Sequence, residues 1–284
     1  MATIGIVGYG IVGKAVDYGF RTTHPKGENV NKVFIYDKYK PEISIPLKDV
    51  VKNSEFVFVC LPTPMKNDNS GIDLTIMDQN IAEIAKAAEG TDNIIIIKSS
   101  VIPGTTRRYE AQYPNVHFAF NPEFLTEANY LEDFIRPDRI IIGADNDKVR
   151  LRVIDFYRDR FPRDKIIPTD PAAAEMVKYM ANTFLATKVI FANEMYELCE
   201  KMGIKYEDVK EMVALDPRIG PAHFSVTSER GFGGKCFPKD TVALIGLYNQ
   251  LGIDASLLKS VWDKNLRVRK HRDWEEIPFV KGSH

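Results

Sequence analysis

The 284 residues carry 27% charged side chains that nearly cancel, for a net charge of −1, a balance that argues against a general nucleic-acid or membrane binder. No apolar run approaches the ~20 residues of a membrane span, and the N-terminus enters a strand-like segment at once, without the charged region and apolar core of a secretory signal. Three cysteines, Cys60, Cys199 and Cys236, form a sparse and odd set that suits reduced thiols in a cytosol better than a disulfide framework.

Thr3 to Val7 reads as a buried strand and Ile11 to Phe20 as the helix after it. Val33 to Tyr36 and Phe56 to Cys60 continue the strand series, and Asp78 to Glu89 has the apolar spacing of a helix. The unbroken β-branched run Ile94 to Ile97 is what a strand covered on both faces requires, and Val116 to Phe120 and Arg139 to Ile142 follow as shorter strands. Alternating strand and helix predicts an α/β fold, a Rossmann-type doubly wound parallel sheet. The character then changes. Pro171 to Met202 has helix formers throughout and no internal Pro or Gly, with Pro171 suited to a first turn and Gly203 to a stop. Further helix is expected over Tyr206 to Ala214, Thr241 to Leu251 and Ser256 to Arg272. These readings put a dinucleotide-binding domain at 1–170 and an all-helical domain with a long central helix at 171–281. Gly282-Ser283-His284 reads as an expression-tag remnant. So long an amphipathic helix needs a partner to cover it, so the helical domain is expected to form a homodimer.

Gly8-Tyr9-Gly10-Ile11-Val12-Gly13 is a G-x-G-x-x-G directly after a strand and at the start of a helix. Gly8 allows the tight turn, Gly10 lets backbone approach a pyrophosphate, and Gly13 permits close helix–strand packing, while the helix N-terminus offers free N–H groups to the anion. Asp37 closes the second strand, where its carboxylate can accept from a ribose diol and would repel a 2′-phosphate, so NAD is expected over NADP. The spacing from Gly13 to Asp37 exceeds the usual one, and Thr22 to Gly27 is expected to form a longer surface loop. Pro62-Thr63-Pro64 and Lys98-Ser99-Ser100 follow strands, where ligands of open α/β sheets bind. Pro62, Thr63 and Ser99 are therefore candidate cofactor contacts, or simple punctuation.

Gly231-Phe232-Gly233-Gly234-Lys235-Cys236-Phe237-Pro238-Lys239-Asp240 is the most informative segment. Its glycines leave the backbone uncrowded, and nearby lysines with a helix start favour the thiolate of Cys236. Cys60 and Cys199 lie inside regular elements and read as small buried hydrophobes. His24, His117, His223 and His271 show no ligand spacing, and no metal is expected. The run Arg267 to Arg272 reads as a solvated helix end.

In these segments the sequence resembles the UDP-glucose/GDP-mannose dehydrogenase family. The resemblance is carried by Gly8 to Gly13, Pro62-Thr63-Pro64, Ser99 to Thr105 and Asn121-Pro122-Glu123-Phe124-Leu125. It continues through Glu175 to Asn182, Asn193-Glu194, Arg218-Ile219-Gly220 and Gly231 to Asp240, and so covers nearly the whole chain. It implies a four-electron, NAD-dependent oxidation of a nucleotide-sugar primary alcohol to a carboxylate, with UDP-glucose giving UDP-glucuronate. Cys236 would trap the aldehyde as a thiohemiacetal and then carry a thioester, because an aldehyde has no good hydride to give until a nucleophile adds. The resemblance assigns Lys178 and Asn182 to oxyanion stabilisation; their i,i+4 spacing puts both on one helix face. It assigns Asp240 and Ser100 to positioning water, with Ser100 standing where the family often has Thr. Glu123 and Glu127 become the acid/base and a substrate contact, or the reverse. Phe124, Leu125, Phe232, Gly233 and Arg218 become substrate contacts, Arg218 reaching across a dimer, and Lys239 a cofactor contact. Full-length relatives continue into a third, nucleotide-binding domain, so a separate polypeptide is a possible partner. Two other readings stay open: a two-electron β-hydroxyacid-type dehydrogenase, which needs no nucleophilic cysteine, and a non-catalytic NAD or sugar-nucleotide binding module.

Overall fold

The computed structural model describes residues 2–21, 32–278 and 280. The surface loop expected at Thr22 to Gly27, His24 within it, and the remnant at Gly282 to His284 lie outside the described residues. The chain divides into two compact units, one of residues 1–63 and 74–178, the other of residues 64–73 and 179–284. The sequence reading places one boundary before Pro171; the units part between Lys178 and Tyr179, and the short excursion 64–73 belongs to the second.

The first unit is built on a seven-stranded sheet: β1 (Thr3–Val7), β2 (Lys32–Tyr36), β3 (Phe56–Val59), β4 (Ile94–Ile97), β5 (His117–Phe120), β6 (Ile140–Gly143) and β7 (Ile166–Thr169). The spatial order is β2-β1-β3-β4-β5-β6-β7. The first five strands are parallel; β6 meets β5 antiparallel at Phe120 and Gly143, and β7 runs parallel to β6. Both faces are covered, as the Ile94 to Ile97 run requires. Ile94 and Ile96 enter one core with Val16, Phe20 and Phe156, while Ile95 and Ile97 enter another with Met77, Ile81 and Tyr109. The covering helices are α1 (Ile11–Arg21), α2 (Leu47–Lys52), α3 (Thr75–Ala88), α4 (Thr105–Gln112), α5 (Tyr130–Ile135) and α6 (Asp147–Arg158). Because β1 lies between β2 and β3, the carboxyl ends of β1 and β3 border the point where the winding reverses, the usual ligand crevice of such sheets.

The helix α7 (Pro171–Met202, 32 residues) and α8 (Tyr206–Ala214) have the bounds expected from the sequence. The helix α9 (Phe237–Gln250) starts earlier than expected, directly after Cys236. The helix α10 (Ser256–Val268) ends within the basic run: Arg267 stands in its last turn, as expected of a helix end, while Arg269 to Arg272 lie beyond it. The second unit has its own core, in which Phe232, Trp262, Trp274, Val242 and Ile245 pack together with Met65 of the excursion. Among the described residues, no helix is long and apolar enough to cross a membrane.

Candidate active site

The glycine loop is held by close approach. Gly8 has φ +93°, and a Cβ there would lie 2.5 Å from the Cys60 carbonyl oxygen; one on Gly13 would lie 2.1 Å from the Gly8 carbonyl oxygen. A Cβ on Gly10 meets no protein atom within 4 Å, so protein packing does not itself demand a glycine at this position. Ile11 and Val12, half-buried, open α1. Asp37, just past β2, accepts the Tyr9 N–H at 2.7 Å and the Tyr39 N–H at 2.9 Å, which aims its carboxylate at the loop. Lys40 donates to the Tyr9 carbonyl. Beyond β3 and β4, the Thr63 hydroxyl donates to the Ser100 carbonyl at 2.8 Å and the Ser99 hydroxyl to the Val59 carbonyl at 3.2 Å, so these two loops are tied to one another and to the sheet; Pro62 is half-buried beside them. A carboxylate beyond β2, an uncrowded Gly10 and a helix N-terminus fit a dinucleotide with a free ribose diol.

At the carboxyl ends of β4 and β5 the first unit buries a charged cluster. Lys178 of α7 donates to the Glu123 carboxylate and to its carbonyl, both at 2.7 Å, with both side chains nearly out of reach of water. The second carboxylate oxygen accepts the Leu125 N–H at 2.8 Å. Burial would raise the Glu123 carboxyl; the charge and hydrogen bond of Lys178, the Leu125 N–H and the charge of Lys98 together outweigh it and hold the group below the ordinary carboxylate range. Phe124 lies between two cations, with the Arg139 guanidinium 4.1 Å and the Lys178 ammonium 5.7 Å from its ring centre. Lys98 donates to the Asn121 amide oxygen at 2.6 Å, and the Tyr157 hydroxyl donates to the same oxygen at 2.5 Å. Burial pushes Lys98 down to about 8, partly offset by Cys60 and Glu123, and pushes the Cys60 thiol up to about 12. Lys98, Asn121, Glu123, Phe124, Arg139 and Tyr157 line a cavity of about 240 Å³ together with Phe134 and Phe161. Sequence reasoning missed Lys98, Asn121 as a contact, Tyr157 and Arg139. A lysine ending a fully apolar strand was the available signal, since burial of an ammonium is rare without a reason.

Glu175, fully buried, ties α7 to the loop before α4. It accepts the Gly104 N–H at 2.6 Å, the Thr106 N–H at 2.8 Å and the Thr106 hydroxyl at 2.6 Å. Ser100, in the loop ahead of Gly104, is half-buried. Glu127 is exposed.

In the second unit, Cys236 is the N-cap residue of α9, half-buried, at the positive end of a 14-residue helix. Asp240, in the first turn, is fully buried and accepts the Asn182 amide at 2.6 Å and the Lys239 ammonium. The Phe232 ring is buried in the core, and its backbone N–H and carbonyl are both bonded to Asn265, so the substrate contact expected of Phe232 is not offered by ring or backbone. Arg218 is 87% exposed at its side chain and folds onto Asp216 at 2.6 Å. The site residues expected from the sequence thus fall into two sets, Gly8 to Lys178 in the first unit and Asn182 to Asp240 in the second.

A sequence model of the UDP-glucose/GDP-mannose dehydrogenase family's NAD binding domain matches residues 27–160, and that of its central domain matches residues 172–267. UDP-glucose 6-dehydrogenase of Rickettsia typhi is 37% identical over 219 residues, which cover 75% of this chain and 50% of that protein. The Haloferax volcanii UDP-glucose 6-dehydrogenase is 34% identical over 232 residues, covering 76% and 53%. The solved structure of a UDP-glucose dehydrogenase from the archaeon Pyrobaculum islandicum aligns with a TM-score of 0.83 at 31% identity, over 94% of this chain and 68% of that one. The chain therefore spans about half the length of the curated relatives it matches. With both domain models matched in order over most of its residues, the chain belongs to the UDP-glucose/GDP-mannose dehydrogenase family.

Proposed function

We propose that the protein is an NAD-dependent nucleotide-sugar dehydrogenase that oxidises a primary alcohol to a carboxylate, with UDP-glucose as substrate and UDP-glucuronate as product. The observation that carries this reading is the placement of Cys236 at the N-terminus of α9, in the segment Gly231 to Asp240. A helix N-terminus favours negative charge on sulfur, and the two-electron hydroxyacid alternative has no use for a cysteine there. Gly8, Gly10, Gly13 and Asp37 would hold the dinucleotide, with Ile11, Val12, Pro62, Thr63, Ser99 and Lys239 as further contacts. When bound, NAD would supply the hydride acceptor, one molecule for each of the two oxidations.

Cys236 adds through sulfur to the aldehyde carbon. Lys178 and Asn182 stabilise the oxygen that becomes an oxyanion. Glu123, ionised because Lys178, the Leu125 N–H and Lys98 together outweigh its burial, accepts a proton from the water that cleaves the thioester, and Asp240 and Ser100 orient that water. Phe124, Leu125, Glu127 and Gly233 contact the sugar. The homodimer forms through α7 and brings Arg218 to the partner's substrate. Support comes from Met180, Phe184, Phe191, Leu198 and Met202, large apolar side chains exposed at helical spacing along α7. A sparse, odd set of three cysteines suits a cytosolic setting.

The test is NADH released per sugar nucleotide consumed, measured over UDP-glucose, GDP-mannose, UDP-N-acetylglucosamine and UDP-N-acetylmannosamine. Two NADH per UDP-glucose is the expected result. One NADH per sugar favours the hydroxyacid-type reaction, and NAD binding without turnover favours a binding module.

A further inference from the structure

The segment before Cys236 is gripped through its backbone. Asn265 of α10, fully buried, accepts the Phe232 N–H at 2.8 Å and donates to the Phe232 carbonyl at 3.1 Å, the pairing a neighbouring β-strand would supply. Asp273 accepts the Gly234 N–H at 3.1 Å and the Arg269 guanidinium at 3.1 Å. Arg269 also donates to the Arg230 carbonyl at 3.1 Å, and the Lys270 N–H to the Glu229 carbonyl at 3.0 Å. On α7, the buried Asn193 accepts the Gly231 N–H at 3.1 Å and the Arg230 Nε–H at 2.8 Å. This grip explains why α10 stops at Val268: the residues after it are spent on the loop rather than on another helical turn.

The closeness of the grip explains two glycines. A Cβ on Gly231 would lie 2.3 Å from the Asn265 amide oxygen, and one on Gly233 would lie 2.3 Å from an Asp273 carboxylate oxygen. Gly233 is not in the left-handed region, so close approach alone calls for glycine there. The sequence reading had these glycines leaving the backbone uncrowded by side chains; at Gly231 and Gly233 the side chains of Asn265, Asp273 and Arg269 fill that space.

We infer that Asn265 and Asp273 are positioning residues that set the conformation of Phe232 to Cys236, and that Gly231 and Gly233 serve this clamp. The consequence for turnover rests on the reading of Cys236 as the nucleophile; the clamp itself does not. A loop released from Asn265 presents Cys236 poorly to the aldehyde, so aldehyde escapes before the second oxidation.

The test pairs amide hydrogen exchange, read by NMR, with NADH release in the presence of semicarbazide to capture aldehyde. In Asn265→Leu, exchange at the Phe232 amide should rise about 100-fold while the Ile95 and Ile96 amides keep wild-type protection. In Asn265→Asp, which keeps the acceptor, the Phe232 amide should stay protected. NADH per sugar should fall below two in Asn265→Leu with aldehyde trapped, whereas mere destabilisation lowers total turnover and leaves the ratio at two. Gly233→Ala provides a variant that leaves the core intact: its added methyl should free the Gly234 amide and lower the ratio in the same way. Unchanged Phe232 and Gly234 exchange, or a ratio of two in both Asn265→Leu and Gly233→Ala, overturns the inference. If the wild-type chain turns over no sugar nucleotide, the functional reading falls and the exchange data still decide the clamp.

Discussion

The two units fix their site residues by opposite means. In the first, side chains hold side chains: Glu123, Lys178, Lys98, Asn121 and Tyr157 form a buried cluster with two ammonium groups to one carboxylate. In the second, side chains hold backbone: Asn265, Asp273 and Asn193 grip the chain just ahead of Cys236, and the charged pair Lys239–Asp240 follows it. The buried Lys178–Glu123 pair makes either partner costly to remove, since the other is left as an uncompensated ion in low dielectric. A backbone clamp of largely neutral hydrogen bonds contributes about 1 kcal/mol per bond and governs geometry more than charge. The first unit should therefore show its importance in stability and pH dependence, the second in the partition of the reaction.

The largest effect is expected in the second unit. Cys236→Ala should abolish acid formation while leaving NAD binding intact in equilibrium titration; loss of NAD binding would make the cysteine structural and erase the contrast. Next comes Lys178→Met, which strands Glu123 in the interior. It should lower unfolding free energy by about 3–5 kcal/mol in urea denaturation at neutral pH, beyond any loss of turnover. The loss should shrink in acid. A carboxyl held low in the fold contributes stability above its unfolded pKa, and that contribution fades as pH falls through the folded one.

Lys98 should behave in the opposite sense. Its folded pKa of about 8 lies below the ordinary 10.5, so the unfolded chain binds more protons between the two and stability should rise over that window by about 3 kcal/mol. Cys60, Glu123, Lys178, Asn121, Tyr157 and the Phe134 ring face it. Lys98→Met should be more stable than wild type near pH 7, with the gap closing by pH 10.5 in paired urea titrations. A gap independent of pH would mean that Lys98 titrates in the fold as it does in the unfolded chain and would contradict its lowered pKa. The smallest effect is expected at Asp37. Asp37→Ala removes the acceptor of the Tyr9 and Tyr39 N–H groups and should weaken NAD by about tenfold in fluorescence titration.

What could be read in the sequence follows the same division. Segments whose pattern reflects a single cause were legible: the Ile run of β4 from two-sided burial, and α7 and α8 from helix formers bounded by Pro171 and Gly203. The Gly8 to Gly13 turn was legible from its own spacing between strand and helix, whereas the roles given to Lys178, Asn182 and Asp240 rest on resemblance. Segments with competing causes were not. The strand β7 carries Pro168, which an edge strand tolerates but which reads as punctuation. The helix α6 mixes charge into its apolar face, and its Asn146 cap, accepting the Lys148 and Val149 N–H groups, was the overlooked start signal. The end of α10 was overread because Arg269 and Asp273 answer to a loop some thirty-odd residues away, as the Gly234 bond across |i−j| = 39 records, and no local pattern carries that. The buried Lys98 was hidden for a related reason: its partner Asn121 comes from another strand end, at |i−j| = 23.

The most direct measurement is the chemical state of Cys236 during turnover. The chain is mixed with UDP-glucose and NAD, quenched in acid within the first turnovers, and digested for mass spectrometry. The account predicts a glucuronyl thioester on the Cys236 peptide, sensitive to hydroxylamine and missing when NAD is left out. Formation of acid with an unmodified Cys236, or an adduct carried by Cys60 or Cys199 instead, would contradict it.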